Sequence, residues 1–225
     1  MAWRDWIRGA EVEPSLYAAD FLRLGEQLET LIGAGARIFH VDVGDGSFIP
    51  PVTIGPVVVR SIAPLVHAAG GRIDCHLMVD DPAGQFEQIA AAGGDSVTFH
   101  REAVDDPGAA IAKARAHGLG VGMALKPETP IERAVEVGAE LDLALVMSVH
   151  PGFSGQAFLP EAVGRIARLR ELLPEETLIG VDGGVKPDNA ATVHAAGAEL
   201  IVAASAIFYE ADIAAAYARL ARAVG

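Results

Sequence analysis

Cysteine is almost missing: Cys75 is the single one in 225 residues, so no disulfide can form within the chain and nothing implies an oxidising compartment. Cys75 itself reads as a small buried apolar residue. Long apolar runs are missing too. The longest are strand-sized and interrupted, and no early stretch joins a basic start to an apolar run and a small-residue cleavage site. The expectation is a soluble, cytoplasmic protein with no membrane partner. Cations are scarce, 17 Lys plus Arg against 30 Asp plus Glu, and the formal net charge of −13 repels phosphodiester backbones, which argues against a nucleic-acid partner. The same deficit does not exclude a small phosphorylated ligand, because backbone N–H groups in loops and at helix N-termini hold phosphate without Lys or Arg. The first βα turn has no G-x-G-x-x-G, so an open dinucleotide-binding sheet has little support.

What is present is a core. Hydrophobic residues make up 51% of the chain, enough for one domain spanning 1–225. Short β-branched or aliphatic runs alternate with longer Ala-rich amphipathic segments from end to end, the pattern of βα repetition. Eight strands are expected, near 11 to 16, 37 to 42, 72 to 77, 96 to 99, 119 to 125, 141 to 147, 177 to 181 and 199 to 203. Eight is the number of the (β/α)₈ TIM barrel, whose active site lies at the C-terminal ends of its strands. Helices are expected near 19 to 31, 82 to 92, 106 to 117, 130 to 137, 160 to 173 and 186 to 196, several with Pro or Asp at the start. Four helix-to-strand junctions share a grammar, at Gly33–Gly35, Gly93-Gly94, Gly138 and Gly197, each with a glycine suited to the left-handed position past a helix end.

Groups that a packed core would not choose stand at the strand ends. His40 and Asp42 end the second strand two residues apart, so both can face the barrel mouth; His76 ends the third strand and Asp182 the seventh. Taken singly, a strand-end His is commonly a hydrogen-bonded structural residue and a strand-end Asp a helix cap. Together, two carboxylates and two imidazoles are costly to bury unless a cation neutralises them, and zinc, manganese, iron or cobalt would suit the mixed donors. On the far side, His150-Pro151-Gly152-Phe153-Ser154-Gly155-Gln156, Asp182-Gly183-Gly184 and Ala203-Ala204-Ser205-Ala206 follow strands six, seven and eight. Glycine-rich loops after the last strands are a recurrent phosphate cradle in this architecture.

Pro14-Ser15-Leu16 with Ala19-Asp20-Phe21, His40-Val41-Asp42-Val43 with Asp45-Gly46, Asp74-Cys75-His76-Leu77-Met78, Met147-Ser148-Val149 with Pro151-Gly152-Phe153, Val181-Asp182-Gly183-Gly184 and Ser205-Ala206-Ile207-Phe208 run in one order along nearly the whole chain. In that ordered set the chain resembles the ribulose-phosphate 3-epimerase family. The resemblance implies a metal-dependent isomerase that inverts C3 of a small phosphorylated ketose, interconverting D-ribulose 5-phosphate and D-xylulose 5-phosphate. It implies one divalent metal ion, zinc first, on His40, Asp42, His76 and Asp182, with Asp42 and Asp182 as the acid/base pair. Ser15 and His76 would contact the sugar, and Met78 and Met147 would pack over the intermediate. Gly152, Phe153, Ser154, Gly155, Gly183, Gly184, Ala204 and Ser205 would hold the phosphate. It also implies a homo-oligomer.

The departures carry expectations of their own. Gly44 stands where the family usually has Met, and the room above it could admit a hexulose phosphate. Ala204 replaces a phosphate-loop Gly and, if that position needs positive φ, would be strained by about 1 kcal/mol or more. Tyr17, Ala18, Pro51 and His150 also differ. A related sugar-phosphate lyase or synthase and a noncatalytic sugar-phosphate-binding paralogue are the competing functions. Trp3, Trp6 and Ile7, before the first strand, either seal the barrel bottom or form a subunit contact.

Overall fold

The computed structural model describes residues 3–7 and 9–225. Its strands are β1 (Glu11–Pro14), β2 (Ile38–Gly44), β3 (Arg72–Met78), β4 (Ser96–His100), β5 (Gly120–Leu125), β6 (Leu143–Met147), β7 (Leu178–Asp182) and β8 (Leu200–Ala203). They form one parallel sheet in the order β1-β8-β7-β6-β5-β4-β3-β2. A single parallel bridge between Ser15 and His40 joins the two ends of that order, so the sheet curls into a nearly closed barrel. All eight expected strands are there, their ends moved by one or two residues.

Helices cover the outside: α1 (Leu24–Gly33), α2 (Pro56–Ala68), α3 (Phe86–Ala92), α4 (Pro107–Ala116), α5 (Glu132–Val135), α6 (Glu161–Leu172), α7 (Pro187–Ala195), α8 (Ser205–Phe208) and α9 (Ile213–Val224). Local chemistry sets several starts. Asp106 accepts the Ala109 N–H at 3.0 Å beside a first-turn Pro107, and Asp212 accepts the Ala215 N–H at 2.9 Å. The helix expected over 19 to 31 begins only at Leu24, because Asp20 caps a separate 3₁₀ turn, Phe21–Arg23. The one expected over 130 to 137 shrinks to Glu132–Val135 and a 3₁₀ turn at Gly138–Glu140. No helix among the described residues is long and apolar enough to cross a membrane.

The glycine grammar holds at three junctions and fails at one. Gly35, Gly93 and Gly197 have φ of +110°, +96° and +116°. Gly138 is not left-handed; a Cβ there would stand 2.4 Å from Leu173 Cδ2, so close packing rather than backbone conformation calls for glycine.

The barrel interior is divided. On β5 to β8 it is apolar, with Ala124, Leu143, Leu145, Met147, Leu178, Leu200 and Val202 in one cluster with Ile38, Ile7 and Trp3. On β1 to β4 the inward positions carry Glu13, His40, Asp42, Asp74, His76, Ser96, Thr98 and His100, all buried. Trp3 sits at the N-terminal end of the strands with no exposed surface, against Gly120, where a Cβ would lie 2.7 Å from its Nε1. Of the two roles open to the N-terminal apolar residues, sealing the bottom is the one that Trp3 and Ile7 fill. Replacing Trp3 with Ala removes that plug, and we expect a loss of about 3–5 kcal/mol in chemical denaturation, with a loss below about 1 kcal/mol refuting the sealing role.

Candidate functional site

The parallel register of β2 with β3 sets His40 beside Asp74 and Asp42 beside His76. Alternation along each strand then turns all four inward. Asp182 arrives from the end of β7, and β1 and β8 separate its strand from β2 in the barrel.

The four expected cation ligands converge. His40 Nε2 lies 3.2 Å from His76 Nδ1, 3.4 Å from Asp42 Oδ1 and 4.0 Å from Asp182 Oδ2. His76 Nδ1 lies 3.4 Å from Asp42 Oδ1 and 3.5 Å from Asp182 Oδ2. These atoms form one group able to hold a metal ion. Both imidazoles are fully buried, whereas the Asp42 and Asp182 side chains keep 10% and 17% of their surface and open upward. The second oxygen of Asp42 accepts the Ser15 hydroxyl at 2.6 Å.

Charge in this group is collective. Burial opposes ionisation of Asp42, yet the His40 and His76 imidazoles beside it hold its carboxyl well below the usual range. Burial likewise opposes protonation of His40 and His76; for His40 the charges of Asp42 and Glu13 outweigh it, and for His76 the hydrogen bonds it donates to Asp182 and Asp42 do, so both imidazoles are pushed up. Protons thus gather where the donor atoms meet, the position a cation would compete for.

Each imidazole has a polar partner behind it. His76 Nε2 lies 2.9 Å from His100 Nε2, and His100 Nδ1 lies 3.2 Å from Glu102. Burial pushes His100 down to about 4, so it is neutral and carries one proton. Glu102, despite burial, is held at about 2 by its bonds from His100 and Thr129 and can only accept, so we assign that proton to His100 Nδ1. His100 Nε2 then accepts from His76 Nε2–H, which turns His76 Nδ1 toward the cluster. Behind His40, Nδ1 faces Glu13 Oε2 and Asp74 Oδ2, each at 3.5 Å. Burial pushes the Glu13 carboxyl up to about 7.

Above the cluster opens a concave cavity at the C-terminal ends of the strands, the place where barrels of this kind carry their sites. Ser15, Met78, Met147, Gly152, Phe153, Ser154, Gly155, Gly183, Gly184, Ala204 and Ser205, all expected to meet substrate, line it together with Asp42 and Asp182. His76 does not; it lies beneath the floor with no exposed surface. No Lys or Arg lines the cavity, so an anion there would rely on backbone N–H groups and hydroxyls. The Ser154 hydroxyl is buried without a partner. Gly152, Gly155, Gly183 and Gly184 all have positive φ, and a Cβ on Gly183 would lie 2.4 Å from Val149 Cγ2.

Residues 11–208 match the Ribulose-phosphate 3 epimerase family. A ribulose-phosphate 3-epimerase of Synechocystis sp. is 43% identical over 202 residues, covering 88% of this chain and 86% of its own. Another, of Mycobacterium leprae, is 40% identical over 220 residues, 96% of each chain. Among solved structures, a 3-hexulose-6-phosphate synthase superposes with a TM-score of 0.73 at 24% identity, over 96% of this chain and 100% of its own. KGPDC from Streptococcus mutans gives a TM-score of 0.73 at 13% identity, over 96% of this chain and 98% of its own. At such identities the solved structures share the barrel alone.

Ala204 has φ −106°, outside the left-handed region, so the expected strain is absent. Gly44 has no room above it: Ile49 Cδ1 and the Pro51 carbonyl oxygen stand 2.6 and 2.9 Å from where its Cβ would be, and Gly44 does not line the cavity. The support this position gave to a hexulose phosphate falls away. His100 and Glu102 repeat at the end of β4 the His-x-acid spacing of His40 and Asp42, a signal the sequence carries. Because Ile49 already fills the space, we expect Gly44→Met to cost about 1–3 kcal/mol in denaturation without enlarging the site. A Gly44→Met variant as stable as the unaltered protein would contradict this.

Proposed function

Because the chain belongs to the ribulose-phosphate 3-epimerase family and is therefore an isomerase-class enzyme, we propose that it inverts C3 of D-ribulose 5-phosphate to give D-xylulose 5-phosphate, with Asp42 and Asp182 as the acid/base pair. One observation carries this reading: two carboxylates from non-neighbouring strands, both open to a cavity, converge on two buried imidazoles.

The donor set fits a divalent cation. A tetrahedral site with bonds of about 2.0–2.2 Å has edges of about 3.3–3.6 Å. The contacts among His40, Asp42, His76 and Asp182 run from 3.2 to 4.0 Å. Two nitrogens and two oxygens suit zinc first, with manganese, iron and cobalt sharing the preference. A cation held there would supply Lewis-acid stabilisation of the negative charge that develops on the substrate as the C3 proton leaves.

The chain's own groups do the rest. Inversion requires two carboxyl groups on opposite faces of a planar intermediate, one ionised to take the proton and the other protonated to return it. Asp42, steadied by the Ser15 hydroxyl, and Asp182 exchange these roles between the two directions of reaction. Met78 and Met147 lay apolar surface over the reacting carbons and keep water away. Backbone N–H groups of the Gly152–Gly155 loop, of Gly183 and Gly184 and of the Ala204-Ser205 turn, with the free Ser154 hydroxyl, take the phosphate. In the same reading residues 1–225 act as one barrel domain, in the cytoplasm and in the pentose phosphate pathway. The exposed side chains of Leu22, Val52 and Val57 supply apolar surface for a homo-oligomer.

In heavy water, zinc- or manganese-loaded protein should convert ribulose 5-phosphate with deuterium appearing at C3. Asp42→Asn and Asp182→Asn should each lower that exchange by about 10²–10⁴-fold. A chelator should abolish conversion and added metal restore it. Retention of C3 exchange by both Asn variants would remove the aspartates from the acid/base role.

A further inference from the structure

The chemistry above has no use for Glu13, and its placement asks for one. Its side chain is fully buried inside the barrel, and neither carboxylate oxygen has a hydrogen-bond partner. His40 Nδ1, 3.5 Å from Glu13 Oε2, lacks one as well. Asp74 stands at the same 3.5 Å from that nitrogen, but its oxygens are already occupied by Ser96 Oγ at 2.7 Å and Thr98 Oγ1 at 3.2 Å. Burying a carboxylate with no donor is unfavourable, so a fold that keeps one there is kept for something other than its own stability.

For His40 to offer its Nε2 lone pair to a cation shared with Asp42, His76 and Asp182, its proton must sit on Nδ1, and that N–H needs an acceptor behind the ring. Two carboxylates reach it, one from each flanking strand: Asp74 opposite His40 in the β2–β3 register, and Glu13 two residues before the Ser15–His40 bridge. We propose that Glu13 is a positioning residue for His40: with Asp74 it clamps the Nδ1–H, fixes the ring and its tautomer, and tightens the hold of the four-residue cluster on a divalent cation. This rests on the cluster being a metal site. Distances of 3.5 Å are long for hydrogen bonds, so the clamp closes when a cation draws His40 into place.

The test is titration of cobalt(II) and zinc(II) into the metal-stripped full chain, in the wild type, Glu13→Gln and Glu13→Ala, by competition with a chelator and by the cobalt d–d absorption. The wild type should bind one equivalent with a tetrahedral cobalt spectrum. Both variants should bind about 10–100-fold more weakly, with a shifted cobalt band, while the metal-free variants melt no lower than the metal-free wild type. Affinity within twofold of the wild type and an unchanged cobalt spectrum would overturn the clamp and leave the one-metal site standing. A second equivalent lost on Glu13→Gln would overturn it too, since Glu13, His40 and Asp74 would then bind metal themselves. No binding by the wild type would bring down the metal site itself. Should the variants not fold, imidazole nitrogen NMR of the zinc-loaded wild type decides: a downfield, slowly exchanging His40 Nδ1–H is expected, and an unprotonated Nδ1 refutes the clamp.

Discussion

Had β2 slipped one residue against β3, His40 and Asp42 would face the helix layer instead of the barrel interior and would leave Asp74 and His76 behind, because successive strand side chains point to opposite faces. The residues between them prevent this. Phe39, Val41, Ile73, Cys75 and Leu77 have no exposed surface and pack with the helices in one core. A slip would bury His40 and Asp42 among those helices and turn Phe39 and Val41 into the polar side of the barrel. The chemistry of the site is therefore held in register by residues that take no part in it, and Cys75 belongs to that outer grip.

The polar groups all sit on one side of the barrel for a related reason. Each needs another beside it: Asp74 takes Ser96 and Thr98, His76 takes His100, His100 takes Glu102, and Asp42 takes Ser15. Scattered around the ring, the same residues would be unpaired and far more costly. Gathered on β1 to β4, they leave β5 to β8 free to supply an ordinary apolar interior, and only Asp182 crosses from that side to complete the cluster.

Much of this was legible in the sequence. Strand-sized apolar runs between Ala-rich amphipathic segments gave the barrel, and the i, i+2 pair His40 and Asp42 gave the inward face. What stayed hidden depends on contacts between distant segments. Glu13 is an ordinary acidic residue until β2 places His40 beside it. Gly44 suggests space until Ile49, from the following loop, folds back into it. The α2 helix carries Pro64 in its interior, which works against a helical reading, although Pro56 at its start and buried Val59, Ile62, Ala63 and Val66 at helical spacing mark it. The α9 helix, with Asp212 as cap and Ala216, Tyr217, Leu220 and Val224 buried, carries an equally readable pattern.

Ser15 is the clasp of the hoop. Its backbone N–H bonds Ala203 of β8 on one side, its bridge to His40 closes the ring on the other, and its hydroxyl holds Asp42. Elsewhere around the circumference neighbouring strands share several register positions, so this joint is the narrowest link in the ring. Whatever settles on Asp42 from above therefore meets a carboxylate held by the fastening of the whole cylinder, so the mouth and the girdle share one side chain.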